Sequence, residues 1–285
     1  MSTEPNKDVL RDWRESAPYW AKHSDTVRLM FAPITSALLG ASGIKDGQSV
    51  LDVAGGAGEP SITIAQSVGC SGSVICTDAV AQMVATARNE AHLAGASNIG
   101  FAQCVGESLP FAAGTFDSVV CRLGVMLFPD PGSAIKEMLR VVKPGGQVSV
   151  AVWRHQESNP FFYVVADVVS RYVESPPEDP DAPGAFRFVE SGKLARLFKE
   201  CGGDGVNEQV LDFEMEAPIT PKQFWELRTE LSDSLRGKVA SLSAEQVKRV
   251  AEEVEEAGQP FYSAGRMSFP GQVLIVTATA KNSQT

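Results

Sequence analysis

Short apolar runs, separated by stretches in which apolar residues recur every three or four positions, fill the chain from about residue 45 to residue 153. The runs lie at 49–54, 73–77, 99–104, 116–121 and 147–153. Runs of that length bounded by turn residues read as buried strands, and the intervening periodicity reads as helix. Strand alternating with helix predicts a parallel, doubly wound α/β sheet, with any ligand at the carboxyl ends of the strands. Ahead of this core, Val9, Leu10, Trp13, Ala17 and Trp20 form one apolar stripe. Val27, Leu29, Met30, Phe31, Ile34, Leu38 and Leu39 form a second. Two helices are therefore predicted over 7–40, the second ended by Gly40 and Gly43. Beyond the core the pattern loosens. Helices are predicted at 161–173 and 194–200, a strand at 206–216, a charged and mostly helical stretch at 221–257, and a last strand at 272–280. The proline-rich acidic segment 175–184 reads as a loop.

A chain of 285 residues has room for one large α/β domain with additions, or for two small domains. No repeat or long linker divides it. The net charge of −10 argues against a bulk nucleic-acid binder, which would carry a basic patch. No apolar run approaches the length of a membrane span, and the polar N-terminus lacks the pattern of a signal peptide. The five cysteines (Cys70, Cys76, Cys104, Cys121, Cys201) are scattered, several of them inside strand-like runs. They read as reduced core residues of a cytoplasmic protein. Neither they nor His23, His92 and His155 have partners at metal-ligand spacing, so no metal site is expected.

The densest chemistry lies in Val50-Leu51-Asp52-Val53-Ala54-Gly55-Gly56-Ala57-Gly58-Glu59-Pro60. A strand ends in an acid, small residues turn the chain, and Pro60 opens a helix, since proline is favoured at the first helical position. Small residues let the backbone approach a ligand, and a helix N-terminus offers free N–H groups. Twenty residues after Gly58, a second apolar run ends in Asp78. An acid there can accept hydrogen bonds from both hydroxyls of a ribose. A nucleoside-containing cofactor follows, and two classes share this geometry. A dinucleotide site wants a third glycine where this chain has Ser61, and an anion at Asp52 would repel a diphosphate. The same anion would favour an ammonium or a sulfonium, and S-adenosylmethionine carries both.

Three further segments narrow the choice: Glu107-Ser108-Leu109-Pro110-Phe111, Phe116-Asp117-Ser118-Val119-Val120-Cys121-Arg122, and Glu137-Met138-Leu139-Arg140-Val141-Val142-Lys143-Pro144-Gly145-Gly146. With Asp52-x-Ala54-x-Gly56-x-Gly58 they resemble, in order and spacing, the motifs of class I S-adenosylmethionine-dependent methyltransferases. The resemblance is to the UbiE-like, methyltransferase type 11 group, and it covers roughly residues 45–153. Ala54 stands where that family usually has its first glycine, and Val105-Gly106 where it often has an acid near adenine.

The resemblance implies a Rossmann-like sheet, mostly parallel with an antiparallel last strand. It also implies a helical lid over 1–43 and a methyltransferase domain over 44–285 with a helical insertion at about 218–260. It implies cofactor contacts from Asp52, Ala54, Gly55, Gly56, Gly58, Asp78, Ala79, Met83, Val105, Gly106, Glu107 and Arg122. Each has a plainer reading as a cap, a turn or core. Arg122, directly after the fourth strand, could instead hold the loop. Tyr19, Met126 and Trp153 are candidates for substrate contact, together with Leu123, Phe128 and Phe162, though aromatics at helical spacing also serve as core. His155 follows the fifth strand and is the candidate general base, since histidine titrates near neutrality; the alternative is an exposed loop histidine. Methyl transfer needs positioning more than acid–base groups. The expected activity is methylation of a small, largely apolar or aromatic acceptor, without nucleic acid or membrane insertion. The alternatives are an NAD-dependent oxidoreductase and a non-catalytic S-adenosylmethionine-binding regulator.

Overall fold

The computed structural model describes residues 4–174 and 179–281; residues 175–178 of the expected acidic loop lie outside them. Strands β1 (Ser49–Val53), β2 (Ser73–Asp78), β3 (Ile99–Gln103), β4 (Phe116–Arg122) and β5 (Val142–Trp153) are parallel. Helices α3 (Ser61–Val68), α4 (Ala81–Leu93) and α5 (Pro131–Val141) supply crossovers between them. The sheet order is β3-β2-β1-β4-β5-β8-β6, with a two-residue β7 (Tyr262–Ser263) hairpinned onto β8. β8 (Arg266–Thr279) runs antiparallel to both β5 and β6 (Asp204–Ala217), so it alone among the long strands reverses direction. The order turns over between β1 and β4, and their carboxyl ends open a crevice there.

Two strand starts differ most from the expectation. β5 starts at Val142 because Val142 pairs with Phe116; the glycines then bulge out, and pairing resumes at Gln147–Ser118. β8 starts six residues early because β6 pairs with it as far as Ala217–Met267. The stretch after β6 divides into α8 (Pro221–Leu231), α9 (Asp233–Ala240) and α10 (Ala244–Gly258). Local capping explains the breaks. Thr220 and Ser243 form capping boxes with Gln223 and Gln246, and Ser232 accepts from the Leu235 N–H; such caps fix where helices begin.

The two N-terminal helices, α1 (Glu4–Lys22) and α2 (Ser24–Ser42), play different parts. Gly43 ends α2 in the left-handed conformation, as glycine readily does. Met30, Phe31, Ile34 and Leu38 are buried in the main core, where α2 packs on β4, β5, β6 and β8. α1 lies outside, against α4, α8 and α9. Its Ala17 forms a small separate cluster with Val80 and Met83, flanked by Trp13 and Trp20. The insertion helices brace α1 by polar contacts. Glu230 accepts from Lys22 at 2.7 Å and pairs with His23 at 2.5 Å. Arg236 donates to Ser16 at 2.6 Å and stacks on Tyr19 at 4.9 Å. No described helix is long and apolar enough to cross a membrane.

Candidate cofactor and substrate site

A cavity of about 650 Å³ opens at the crevice between β1 and β4. Its floor is the loop after β1. Gly55 N–H donates to the Thr77 carbonyl at 2.8 Å, tying the loop to β2. A side chain on Gly55 would collide with Asp52 and Cys76, whereas Gly56, at φ +54, faces open space. Ala54 at φ 59 and Leu123 at φ 61 also adopt left-handed backbone, and both line the cavity. That conformation is costly for residues with a Cβ, and such strain concentrates at functional sites.

Asp78, the last residue of β2, stands beside this floor. One carboxylate oxygen accepts from Gly56 N–H at 3.1 Å, the other from Val80 N–H at 2.9 Å. Burial lifts its carboxyl to about 6, against those backbone bonds. Ala79, Met83, Val105, Gly106 and Glu107 continue the wall on this side. The two distant motifs that frame it meet in space: Arg140 donates to the Leu109 and Phe111 carbonyls and pairs with Glu137, which accepts from Leu109 N–H. Glu107 accepts from Asp130 N–H at 3.3 Å. The ring of Phe128 covers Gly106, where a Cβ would come within 2.8 Å of it.

Arg122 closes the opposite side. It donates to Thr35 Oγ1 of α2 at 2.7 Å and to the Glu59 carbonyl at 2.9 Å, with Phe31 5.7 Å beneath it. Burial works against its charge, while Glu59 and Asp52 favour it. Arg122 thus ties the loop to α2 and also lines the cavity.

Of the residues named from sequence, Ala54, Gly55, Gly56, Asp78, Ala79, Met83, Val105, Gly106, Glu107 and Arg122 line this one cavity, as do Leu123 and Phe128. The others do not. Asp52 is fully buried beneath the loop, where Ser61 Oγ donates to it at 2.6 Å and its second oxygen has no partner. Gly58, at φ +114, instead allows close packing on Ile62 and Ala87. Pro60 precedes α3, which begins at Ser61. Tyr19 lies under Arg236. Met126 is buried, with its carbonyl accepting from Gly184 N–H. Trp153 is buried among Phe31, Phe162 and Phe213. His155 is exposed and caps a short turn outside the cavity. No residue of the insertion helices lines the cavity; those helices reach it only by bracing α1. The N-terminal helices add Trp13, Trp20, Leu29 and Phe31, which the sequence shows as apolar stripes, and Asp25 and Arg28, for which it gives no signal. Glu59, Ile62 and Thr63 join them from the loop and α3.

Burial raises the Asp52 carboxyl to about 7, against the Ser61 hydrogen bond and Arg122. A raised folded value means the folded state prefers the protonated acid. This group therefore removes stability as pH rises from about 4 through 7. Between pH 5 and pH 8 the loss from Asp52 comes to about 2–3 kcal/mol. Asp52→Asn is expected to flatten this part of the pH–stability curve in urea melts; a variant as pH-sensitive as the parent would contradict the assignment.

Comparison with known proteins follows the same lines. Residues 36–170 match the ubiE/COQ5 methyltransferase family. The ubiquinone/menaquinone biosynthesis C-methyltransferase UbiE of Cellvibrio japonicus is 42% identical over 111 residues, covering 39% of this chain and 45% of that one. The enzyme of the same name from Haemophilus ducreyi is 37% identical over 132 residues, covering 46% and 49%. The chain thus spans about half the length of these curated relatives. Among solved structures, the YcgJ protein of Bacillus subtilis aligns with a TM-score of 0.55 at 19% identity, covering 87% of this chain and 98% of that one. Phosphoethanolamine N-methyltransferase 2 of Haemonchus contortus, solved with S-adenosylmethionine, aligns at 0.58 and 17% identity, covering 96% and 60%. These two likenesses speak for the fold.

Proposed function

From the match of residues 36–170 to the ubiE/COQ5 methyltransferase family, we propose that the protein is an S-adenosylmethionine-dependent methyltransferase that transfers the cofactor's methyl group to a small, largely apolar acceptor held beneath α1 and α2. The observation that carries this reading is the cavity's mixed chemistry. In one cavity the Asp78 carboxylate and the backbone of Gly55–Gly56 and Val105–Gly106 meet the apolar side chains of Trp13, Trp20, Leu29, Phe31, Leu123 and Leu127. The residues present fit the cofactor. Asp78 offers two acceptor oxygens at a strand end, Gly56 leaves open space above the loop, Phe128 supplies an apolar face beside Gly106, and Met83 adds another to the cavity lining.

When bound, the cofactor supplies a methyl carbon already activated by its sulfonium. The protein's share is placement. Asp78 orients the ribose, and Arg122 fixes the loop through Glu59. The apolar walls exclude water and hold the acceptor in line, and positioning of this kind supplies much of a rate enhancement. An apolar wall also suits a reaction that disperses charge. The curated relatives are C-methyltransferases of ubiquinone and menaquinone biosynthesis. That supports an aromatic, quinol-like acceptor methylated on carbon. The dinucleotide alternative is disfavoured by Ser61, which stands where such a site wants its third glycine and is instead buried against Asp52.

The test is a labelled-methyl assay across quinols, phenols, amines, lipids, bulk tRNA and protein. Label is expected in an apolar small acceptor. Label confined to a macromolecule would overturn the acceptor class, and no transfer to any acceptor, with bound cofactor intact, would favour the non-catalytic binder.

A further inference from the structure

Two basic side chains line the cavity among the described residues, Arg28 and Arg122. Arg122 is spoken for: both of its terminal nitrogens are hydrogen-bonded, to Thr35 and to the Glu59 carbonyl. Arg28 is not. Its one hydrogen-bonding partner among the described residues is Asp25, three positions before it, at 2.6 Å through a single nitrogen. Asp25 is 80% exposed, and an exposed pair of this spacing contributes little. Arg28 lines the cavity, and among the described residues its guanidinium makes no second hydrogen bond. Across from it, Glu59 holds its carboxylate by a 2.8 Å bond from Thr63, close enough to favour the charge of Arg28.

The cofactor's shape decides what meets this pair. Asp78 marks the ribose, and Val105–Glu107 the adenine side. The amino-acid end is left to the β1–α3 loop and the end of β4, where α2 crosses. That end carries a carboxylate, the only anion of the ligand. It enters a cavity whose wall already holds Asp25, Glu59, Asp78, Glu90 and Glu107. An anion so surrounded needs a cation with free donors, and a guanidinium meets a carboxylate with two parallel N–H bonds. Resting on the methyltransferase reading above, we propose that Arg28 of α2 binds the cofactor's carboxylate, exchanging Asp25 for it, with Glu59 facing the neighbouring ammonium. Cofactor binding then also fastens α2 to the loop.

Three nucleosides separate this role from a structural one: S-adenosylhomocysteine, which has carboxylate and ammonium; S-adenosyl-3-thiopropylamine, which keeps only the ammonium; and 5′-methylthioadenosine, which has neither. Each is titrated calorimetrically into the full chain and into Arg28→Ala. The variant is expected to bind S-adenosylhomocysteine about tenfold more weakly, the loss of one charge-assisted contact, and to bind the other two within twofold of the parent. Equal weakening of all three ligands, or no weakening of S-adenosylhomocysteine, overturns the proposal. Failure of the parent chain to bind any of the three overturns the methyltransferase reading beneath it.

Discussion

Asp78→Ala is expected to weaken S-adenosylmethionine binding roughly a hundredfold, about 3 kcal/mol for two hydrogen bonds to a charged acceptor. The loss has two sources. The ribose loses its acceptor, and the Gly56 and Val80 N–H groups, now aimed at Asp78 from 3.1 and 2.9 Å, lose theirs. The same residue predicts a pH dependence with a definite sign. Burial raises the Asp78 carboxyl to about 6 from an ordinary 3.8. For folding, a raised acid costs stability as pH climbs through that window. For binding the sign reverses, because only the carboxylate accepts both hydroxyls. Affinity therefore rises with pH through 6 and is about tenfold weaker at pH 5 than above pH 7. Asp78→Asn should bind weakly at every pH. A parent whose affinity is flat from pH 5 to pH 8, or an alanine variant that binds as tightly as the parent, would remove Asp78 from the site.

Truncation separates the two N-terminal helices. Removing residues 1–40 takes Val27, Met30, Phe31, Ile34 and Leu38 out of the core, all at most 6% exposed. At about 1.5–3 kcal/mol for each buried side chain, the sum matches the whole stability of a typical domain, about 5–15 kcal/mol. That truncation is expected to leave no cooperative unfolding transition. Removing residues 1–22 deletes only α1, whose core contribution is Ala17 and the flanks of Trp13 and Trp20. The shorter truncation is expected to keep a cooperative melt at lower temperature while losing turnover, because the cavity loses one wall and its shield from water. A folded, active 1–40 truncation would contradict the core role of α2. Full activity without α1 would contradict its role as a cover.

The sheet was largely legible because the central parallel strands β1 and β4 are mostly buried and read as short apolar runs, while β3 at the edge is only half-buried. Asp52 shows what the sequence alone does not give, the direction of a side chain near a strand end. It looks like a strand-end acid, but β1 continues to Val53, so Asp52 still belongs to the pleat and points beneath the loop at Ser61 and Cys76. Asp78 is the true last residue of its strand and lines the cavity. Trp153 ends β5, yet its ring is drawn into the Phe31–Phe162–Phe213 cluster, a choice made by residues far apart in sequence. Arg28 left no local signal because Glu59, the acid that faces it, lies more than thirty positions away, and the stripe that shows Trp20 does not show that it packs beside Met83. Conversely, Arg140 and the Glu107–Phe111 segment were each visible as motifs; only the fold shows that one ties down the other.

The most direct test of the account is a calorimetric titration of the full-length chain at pH 7.5 with S-adenosylmethionine, S-adenosylhomocysteine and NADH. One-to-one binding of both adenosyl compounds at micromolar concentrations, with no heat from NADH, is the predicted result. Binding of NADH with neither adenosyl compound would contradict it.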